Sequence, residues 1–508
     1  MLAKNSNLKI ILLHLVLLGL YCAPFFAVEV PVLVDYTNHL ARMYIVSHYN
    51  ELPVLQKFYD VKHELAPYLG IDAVFYLLSF LDIYTAGHVY IAICFTLVTI
   101  GVCLTNYAVF KRLRYESLLC YPFFLNPNIS IGLINYYLAI GLVLIGFAIY
   151  LMLPEKRKYL FLFFYSLFMF FIHLFGLMCF LGLVGLYLLS TKQVNFKVIA
   201  QFASCLVLPV IIVLGFTTEH QLSVDKETIL PKLLNLEELI GRVTISGFQS
   251  RILNLVTLAF FALLVLFRTV KIHKFGLMIL FIIILTFLIP HSIYGIWSIQ
   301  CRLPPFMGLL FAACVTLAKP RAKYIIIPLY LLLTAATLAH TYGYLKISDD
   351  AVKELRQSFR EIPKGSKILS ASNFFVTNQF VFAPTLAIIE NQHFVNDVYT
   401  GIPPLKAKPE YDAIAGRIGS NIPQKMLLNY PADKPSWMAK AREMRVNEYA
   451  FYYFNWRNDF DYVVIGAPHF NEPLPPELEL IKVINIDLES KAPIFAIYKV
   501  RKDFEHKQ

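Results

Sequence analysis

Charged residues are scarce in this chain, and the first long apolar run, roughly residues 10–28, contains none. Asp, Glu, Lys and Arg make up 16% of the 508 residues, hydrophobic residues make up 58%, and the mean hydropathy is +0.60. A soluble globular domain of this composition could not bury all of its apolar surface in its own core. The composition therefore excludes a soluble protein and predicts a polytopic α-helical membrane protein.

Cysteine is absent from residue 345 onward, because all eight cysteines precede that position. A segment without cysteine cannot be stapled by disulfides, which excludes a disulfide-rich fold for residues 345–508. The chain also lacks a CxxC pair and a Cys/His cluster, so it carries no metal-binding or redox motif of that kind. The same tail contains no GxGxxG, P-loop or Ser/His/Asp signature.

The net charge of +11 lies almost entirely in the first two thirds of the chain. Residues 345–508 carry 21 Lys/Arg against 20 Asp/Glu, which leaves 24 against 14 for residues 1–344. Basic residues concentrated in a membrane region indicate topology rather than nucleic-acid binding. We therefore predict no nucleic-acid partner.

Short basic clusters recur between the apolar runs, at residues 111–114, 156–158, 192–197, 268–274 and 319–323. Short loops rich in Lys and Arg stay in the cytoplasm, and consecutive clusters are separated by enough apolar sequence for two crossings. About eleven spans are predicted, near residues 10–28, 84–110, 115–127, 131–153, 159–173, 174–190, 198–216, 251–267, 275–290, 303–318 and 324–343.

With the N-terminus inside, this topology places the loop 29–83 and the segment 345–508 on the outer face. The chain is thus predicted to have a transmembrane domain, residues 1–344, which carries this outer loop, and an extracytoplasmic domain, residues 345–508. The first run is interpreted as an anchor, and small residues near its end leave a signal peptide as the alternative. The short apolar stretch 66–82 is interpreted as an interfacial or re-entrant helix.

The tail has the pattern of an α/β domain. A helical pattern near residues 349–361 precedes the β-like run 367–370, and the runs 460–466 and 494–500 are rich in the β-branched and aromatic residues typical of strands. Its size, about 160 residues, suits one small domain.

The first outer loop opens with Asp35, followed by His39 at i+4 and Arg42 at i+7, a spacing that places all three on one face of a short helix. A carboxylate in a partly desolvated cleft can take the proton of an attacking hydroxyl. Asp35 is therefore a candidate general base, and the alternative is a cap for the following helix. His39 is a candidate catalytic residue or a structural hydrogen-bonding group, and Arg42 is a candidate substrate-binding residue.

Other polar residues are predicted to lie near the same outer interface. Arg302 begins a predicted span and suits bidentate binding of a phosphate, and the alternative is a side chain that snorkels to the interface. His63 and Glu64 are compatible with binding substrate, a metal ion or an anion, or with a solvated pair. Tyr136 and His291 are candidate substrate-binding residues or members of an aromatic belt and its partners.

An acid just outside the first span, an outer loop with interfacial helices, many further spans and a C-terminal α/β domain resemble the GT-C glycosyltransferases. The resemblance is to polyprenyl-phosphate-sugar-dependent bacterial enzymes, grouped with mannosyltransferases and aminoarabinose transferases. In that family the first-loop acid is often one of a pair, whereas here Tyr36 follows Asp35. The matching elements are Asp35 with His39, Ala66-Pro67-Tyr68-Leu69, Phe75-Tyr76-Leu77-Leu78, Ile362-Pro363-Lys364-Gly365-Ser366 and Asp461-Tyr462-Val463-Val464.

The resemblance implies a reaction as well as a fold. The donor is expected to be a polyprenyl-phosphate-linked hexose or pentose, and the acceptor a hydroxyl of an extracytoplasmic glycan or lipid, with inversion at the sugar. Asp35 is expected to deprotonate the acceptor, His39 or Arg42 to position it, and Arg302 to stabilise the leaving phosphate. The tail is expected to cover the site or grip the acceptor. The family is compatible with a divalent metal ion and with a bacterial inner membrane.

Two other functional classes stay open at this point. A transporter or flippase for lipid-linked glycans predicts charged residues near the bilayer midplane and two related halves. A non-catalytic assembly protein, whose tail recruits partners, is the second alternative. Replacing Asp35 by Asn discriminates among them, because only the transferase requires this carboxylate to make its glycan product.

Overall fold

The computed structural model describes residues 2–62, 67–216, 251–273, 278–279, 281–282, 284, 299–318, 321, 323–374, 378–400, 404–415, 423–424, 427, 455–486 and 493–503. Over these residues the chain is mostly helical. Its α-helices are Leu2–Phe26, Tyr36–His48, Pro53–Phe58, Leu69–Leu77, Ile83–Phe110, Pro127–Ser130, Ile134–Met152, Glu155–Ile172, Leu174–Ser190, Phe196–Phe216, Arg251–Leu266, Ile299–Cys314, Lys323–Glu361, Leu386–Asn391, Pro409–Asp412 and Trp456–Asp459.

The strands of the described residues form three sheets. They are β1 (Tyr59–Val61), β2 (Val270–Ile272), β3 (Val315–Leu317), β4 (Lys367–Ser372), β5 (Phe394–Val395), β6 (Leu405–Ala407), β7 (Tyr462–Gly466), β8 (Leu478–Asn485) and β9 (Pro493–Val500). The main sheet has the order β5-β4-β7-β9-β8. In it β5, β4 and β7 are parallel, and β9 is antiparallel to β7 and β8. The strands predicted at 367–370, 460–466 and 494–500 are β4, β7 and β9.

Among the described residues, four helices are long and apolar enough to cross a membrane. They are Asn7–Phe26, Ile83–Phe110, Ile134–Met152 and Lys323–Glu361. Shorter apolar helices lie at Leu174–Ser190, Phe196–Ile212, Leu255–Leu266 and Arg302–Cys314. Each of these helices overlaps a span predicted from the sequence, and four of the predicted spans have a helix of full membrane length.

The predicted span 115–127 is wrong. Tyr115–Phe123 is a 3-10 helix of 9 residues with Pro122 inside it. At a rise of about 2 Å per residue it is roughly 18 Å long, well short of a hydrocarbon core of about 30 Å. Of the other predictions, 159–173 lies in the helix Glu155–Ile172 except for its last residue, His173, and 275–290 lies mostly outside the described residues.

The chain forms two compact units whose limits do not follow a single cut at residue 344. The first unit comprises Met1–Phe26, Leu65–Val74 and His88–Gly343, and the second comprises Ala27–Glu64, Phe75–Gly87 and Tyr344–Gln508. Most of the loop 29–83, which the sequence assigned to the transmembrane domain, therefore groups with the tail. One physical reason is that β1, from this loop, pairs antiparallel with β6 of the tail.

Within the first unit, the helices Ile83–Phe110 and Ile134–Met152 approach each other closely at two glycines. A Cβ atom on Gly101 would lie 2.8 Å from the carbonyl oxygen of Gly141, and one on Gly141 would lie 2.7 Å from backbone and side-chain atoms of Leu97. Side chains larger than hydrogen would clash at these distances. Small residues that permit such backbone contact are typical of helix pairs in membranes.

Within the second unit, an ion-pair network around the buried side chains of Glu390 and Arg356 joins the loop segments to the tail. The Glu390 carboxylate accepts hydrogen bonds from Arg356 Nε at 2.5 Å, Arg360 Nε at 2.6 Å and the Tyr84 hydroxyl at 2.5 Å. Arg356 also donates to Glu29 at 2.6 Å. Burial acts to raise the pKa of Glu390, but the hydrogen bonds from Tyr84 and Arg356 outweigh it and lower that pKa. The ionised form of Glu390 thus favours the folded unit.

Candidate active site

Asp35 stands at the start of the helix Tyr36–His48, in the second unit. Its backbone has φ −85° and ψ −10°, and its side chain makes no capping hydrogen bond to this helix. Instead, Asp35 Oδ1 accepts a hydrogen bond from the Tyr399 hydroxyl at 2.9 Å. The interpretation of Asp35 as a helix cap is therefore wrong for this conformation, since a capping residue has extended backbone and bonds the first amides. The carboxylate is half-buried.

Asn38 holds the segment that carries Tyr399. Its Nδ2 donates to the carbonyl oxygen of Asp397 at 2.6 Å, and its Oδ1 accepts from the Tyr399 amide at 2.9 Å. Asn38 is fully buried. Two backbone groups of the tail are thereby satisfied by one side chain of the outer loop, so the position of Tyr399 depends on Asn38.

The Tyr399 ring is confined on two sides. It lies edge-to-face with Phe382, at a centroid distance of 5.6 Å, and with His39, at 5.9 Å. It also packs against the buried apolar cluster of Val34, Val381 and Phe382. Because its backbone and its ring are both held, the hydroxyl is aimed at Asp35.

His39 contacts Tyr399 and is held uncharged. Its Nδ1 atom is buried and makes no hydrogen bond with the described residues. Burial and, second, the neighbouring Arg42 lower the pKa of His39 to about 3. A group with this pKa cannot be a good proton donor near neutral pH, whereas a neutral imidazole can donate or accept a hydrogen bond. The structure shows a ring contact of His39 with Tyr399, and both roles predicted for His39 stay predictions.

Arg42 is on the same helix and is 2% exposed. Its charge acts on His39, in keeping with the one helical face that the spacing predicts for Asp35, His39 and Arg42. A substrate-binding role for Arg42 stays a prediction.

The tail residues of this site follow the carboxyl end of β5. Asp397 and Tyr399 come two and four residues after Val395, and the Ser370 amide of β4 donates to the Asn396 side chain at 2.7 Å. Open α/β sheets bind ligands outside the carboxyl ends of their parallel strands. We refer to Asp35, Asn38, His39, Asp397 and Tyr399 as the acid cluster.

Asp397 is a second acid of the acid cluster, and it is 2% exposed. Its Oδ1 accepts a hydrogen bond from Asn396 Nδ2 at 3.1 Å. Burial raises the pKa of Asp397 to about 8. Asp397 is therefore mainly protonated at neutral pH and adds little negative charge beside Asp35.

A second group of predicted residues meets in the first unit. Arg302 is 6% exposed, and its guanidinium lies 5.8 Å from the ring centroids of both Tyr136 and Phe175. The Tyr136 hydroxyl donates to the carbonyl oxygen of Arg302. His173 contacts the Tyr68 ring at 4.8 Å and the Tyr136 ring at 6.4 Å. We refer to these five residues as the cation cluster.

The surroundings of Arg302 bear on its two interpretations. A snorkelling arginine extends its charged end into water, whereas this guanidinium is buried over two aromatic rings. Guanidinium groups stack in this way where they are weakly hydrated and oriented for anion recognition. The burial argues against snorkelling, and phosphate binding by Arg302 stays a prediction.

Three predicted site residues, His63, Glu64 and His291, lie outside the described residues. In the part of the chain that the structure describes, no group of three or more His, Cys, Asp or Glu could hold a metal ion. The metal interpretation of His63 and Glu64 stays a prediction.

Sequence analysis missed Asn38, Asp397 and Tyr399. Asn38 lies between two predicted residues, but its partners are 359 and 361 positions away. The available signal was a pair of polar residues, Asn396-Asp397, directly after a strand. That strand, β5, has only 2 residues, too few to show an alternating pattern.

Comparisons with known proteins leave the family of this chain unassigned. No family model matches the chain, and no curated protein matches it. Among solved structures it is similar to the arabinofuranosyltransferase AftD from Mycobacteria, determined by single-particle cryo-EM. The TM-score is 0.48 at 13% sequence identity, and the match covers 98% of this chain and 42% of the AftD chain. This chain thus spans less than half of the length of that protein, and a similarity of this level assigns neither a family nor an activity.

Proposed function

We propose that this chain is a membrane glycosyltransferase in which Asp35 is the general base. The observation that carries the proposal is the setting of the Asp35 carboxylate. It is half-buried, it does not cap its helix, and it is oriented by the Tyr399 hydroxyl. A carboxylate held in one orientation and partly shielded from water is suited to proton abstraction.

In the proposed reaction a hydroxyl oxygen of the acceptor attacks the anomeric carbon of the donor sugar. The new carbon–oxygen bond forms as the bond from that carbon to the phosphate oxygen breaks, and the bonding electron pair leaves with the polyprenyl phosphate. The hydroxyl proton passes to the Asp35 carboxylate and then to water. Attack opposite the leaving group inverts the anomeric configuration. The products are the glycosylated acceptor and polyprenyl phosphate.

For the leaving phosphate we propose Arg302 of the cation cluster. Negative charge grows on the phosphate oxygen as the bond to the sugar breaks, and a preorganised cation in a water-poor setting stabilises that charge. The burial of Arg302 over Tyr136 and Phe175 supports this role. Tyr136 is then a binding residue through its ring and its bond to the Arg302 carbonyl.

The donor is proposed to be a polyprenyl-phosphate-linked sugar, and the acceptor an extracytoplasmic glycan or lipid at the outer face of a bacterial inner membrane. The basic clusters between the apolar runs support this sidedness. The tail would then lie in the extracytoplasmic space together with the loop segments of the second unit.

The test compares envelope glycolipids and polysaccharides by mass spectrometry in cells with the chain, without it, and with Asp35→Asn. We expect one glycan product to disappear in the last two, with normal amounts of the variant in the membrane. As a matched control, Asp60→Asn changes another carboxylate of the outer loop, which accepts from Tyr49 at 3.4 Å, and should retain the product. Product retained with Asp35→Asn would reject the base and favour a transporter or an assembly protein.

A further inference from the structure

Tyr399 is the best-fixed group of the acid cluster. Its amide is bound by Asn38 at 2.9 Å, and its ring lies between Phe382 and His39. Its hydroxyl is 2.9 Å from Asp35 Oδ1. Backbone, ring and hydroxyl are thus each held by a different partner, so the ring cannot turn without breaking several contacts at once.

The direction of the Tyr399–Asp35 hydrogen bond is also determined. Burial and, next, the Asp35 carboxylate raise the pKa of Tyr399 well above its ordinary value. The phenol therefore keeps its proton and donates it, and a carboxylate oxygen accepts it. Hydrogen bonds to a charged group are stronger than those between neutral groups, so this contact acts to orient the Asp35 side chain.

A general base needs such control. The carboxylate of an aspartate rotates about two side-chain bonds, and proton abstraction is efficient only when one oxygen lies within hydrogen-bond reach of the acceptor hydroxyl. At position 35 the helix amides do not hold the carboxylate, since no capping bond is made. The Tyr399 hydroxyl, 364 positions away in the chain, binds one oxygen of this carboxylate at 2.9 Å.

We infer that Tyr399 is the positioning residue of Asp35: a tyrosine of the tail that orients the base of the outer loop, while Asn38 holds the tyrosine in place. The inference rests on the proposed function for its kinetic consequences and on the Tyr399–Asp35 contact for its structural ones. On this inference a residue of the tail, Tyr399, acts on the proposed base of the outer loop.

The kinetic test uses the full chain in proteoliposomes, with polyprenyl-phosphoryl-mannose and polyprenyl-phosphoryl-arabinose as donor probes and release of polyprenyl phosphate as the readout. Tyr399→Phe keeps the ring and removes the hydroxyl. We expect kcat to fall about 10-fold or more, as for loss of a hydrogen bond to a charged group, while KM for the donor changes little. The acid limb of the pH–rate profile should move to higher pH, because the charged carboxylate has lost a donor.

Tyr411→Phe is the matched control, since this tyrosine belongs to the same unit and packs on Phe58 and Phe394. It should retain the kcat and the pH profile of the parent chain. If Tyr399→Phe does the same, with Asp35→Asn inactive, the positioning role is overturned while the proposed function stands.

A second readout does not depend on substrate. The carboxylate band of Asp35, obtained as the infrared difference between the parent chain and Asp35→Asn, is followed through a pH titration. We expect its midpoint to rise in Tyr399→Phe and to stay in place in Tyr411→Phe. An unchanged midpoint in Tyr399→Phe overturns the inference, whether or not the donor probes react. Failure of both probes to react would count only against the proposed function with these two sugars.

Discussion

The acid cluster and the cation cluster are built in different ways. In the acid cluster, directed hydrogen bonds from Asn38 and Tyr399 orient the groups, at 2.6 to 2.9 Å. In the cation cluster, the Arg302 guanidinium lies over aromatic faces at 5.8 Å. The first arrangement fixes one atom in one direction, as proton transfer requires. The second places a buried positive charge over two aromatic rings, which suits the binding of an anion.

This comparison predicts that the two clusters fail differently when they are changed. Variants of the acid cluster should lower kcat and alter its pH dependence. Variants of the cation cluster should weaken the handling of the donor phosphate.

Apart from Asp35→Asn, the largest effect is expected from Arg302→Gln, which removes the buried guanidinium of the cation cluster. Loss of one preorganised donor to a developing oxyanion costs about 100-fold in rate, and we expect a decrease of that order in polyprenyl phosphate release. Arg302→Lys keeps the charge but not the planar group, and should recover part of the rate. Arg157→Gln, at an exposed arginine of the same unit, is the control. Equal rates in Arg302→Gln and the parent chain would remove the cation cluster from the mechanism.

A smaller effect, on stability, is expected from Asn38→Ala. The Asp397 carbonyl and the Tyr399 amide would then be buried without their partner, which costs about 2 kcal/mol of unfolding free energy. Thermal unfolding of the purified chain in detergent measures the change. Asn458→Ala, at an exposed asparagine, should leave the midpoint in place. A midpoint for Asn38→Ala equal to that of the control would show that the hydrogen bonds of Asn38 to residues 397 and 399 do not stabilise the fold.

The sequence predicts the local part of the acid cluster and not its long-range part. Asp35, His39 and Arg42 are within one short helix, and their spacing alone places them on one face. Tyr399 lies 364 positions from its partner Asp35, and no periodicity relates residues so far apart. The same limit applies to the loop 29–83, whose grouping with the tail depends on the pairing of β1 with β6.

Other differences have local causes. The run 115–127 has the apolar composition of a span, yet Pro122 and the 3-10 geometry make it too short for one. The Tyr136–Arg302 contact joins positions 166 apart. The predicted spans place both residues near the same membrane interface. Their contact depends on how the helices of the first unit pack, which the sequence pattern does not give.

A pH-dependent effect is expected from Asp397→Asn. The pKa of Asp397 is raised to about 8 in the folded chain, whereas an aspartate in an unfolded chain has a pKa of about 4. Between about pH 4 and pH 8 the folded chain therefore binds one proton more than the unfolded chain. The stability that protonated Asp397 gives is therefore complete at low pH and is lost as pH rises through 8. Asparagine cannot ionise. The unfolding free energy of Asp397→Asn relative to that of the parent chain should therefore increase with pH by at most about 1.4 kcal/mol per pH unit.

Thermal unfolding from pH 5 to pH 9 measures this difference. Asp397→Ala removes the same ionisation, and it should show the same slope with a lower overall stability, because it also loses the bond with Asn396. A difference between Asp397→Asn and the parent chain that does not vary with pH would mean that Asp397 is charged in the folded protein.

The central claim is that Asp35 is a base and not a helix cap, and paired measurements on purified Asp35→Asn test it most directly. We expect single-turnover release of polyprenyl phosphate to fall by about 100-fold or more. The thermal unfolding midpoint should change little, because no capping bond is lost and the amide oxygen of asparagine can still accept the hydrogen bond of Tyr399. The opposite result, a rate close to that of the parent chain together with a lowered unfolding midpoint, would contradict the account and return Asp35 to a structural role.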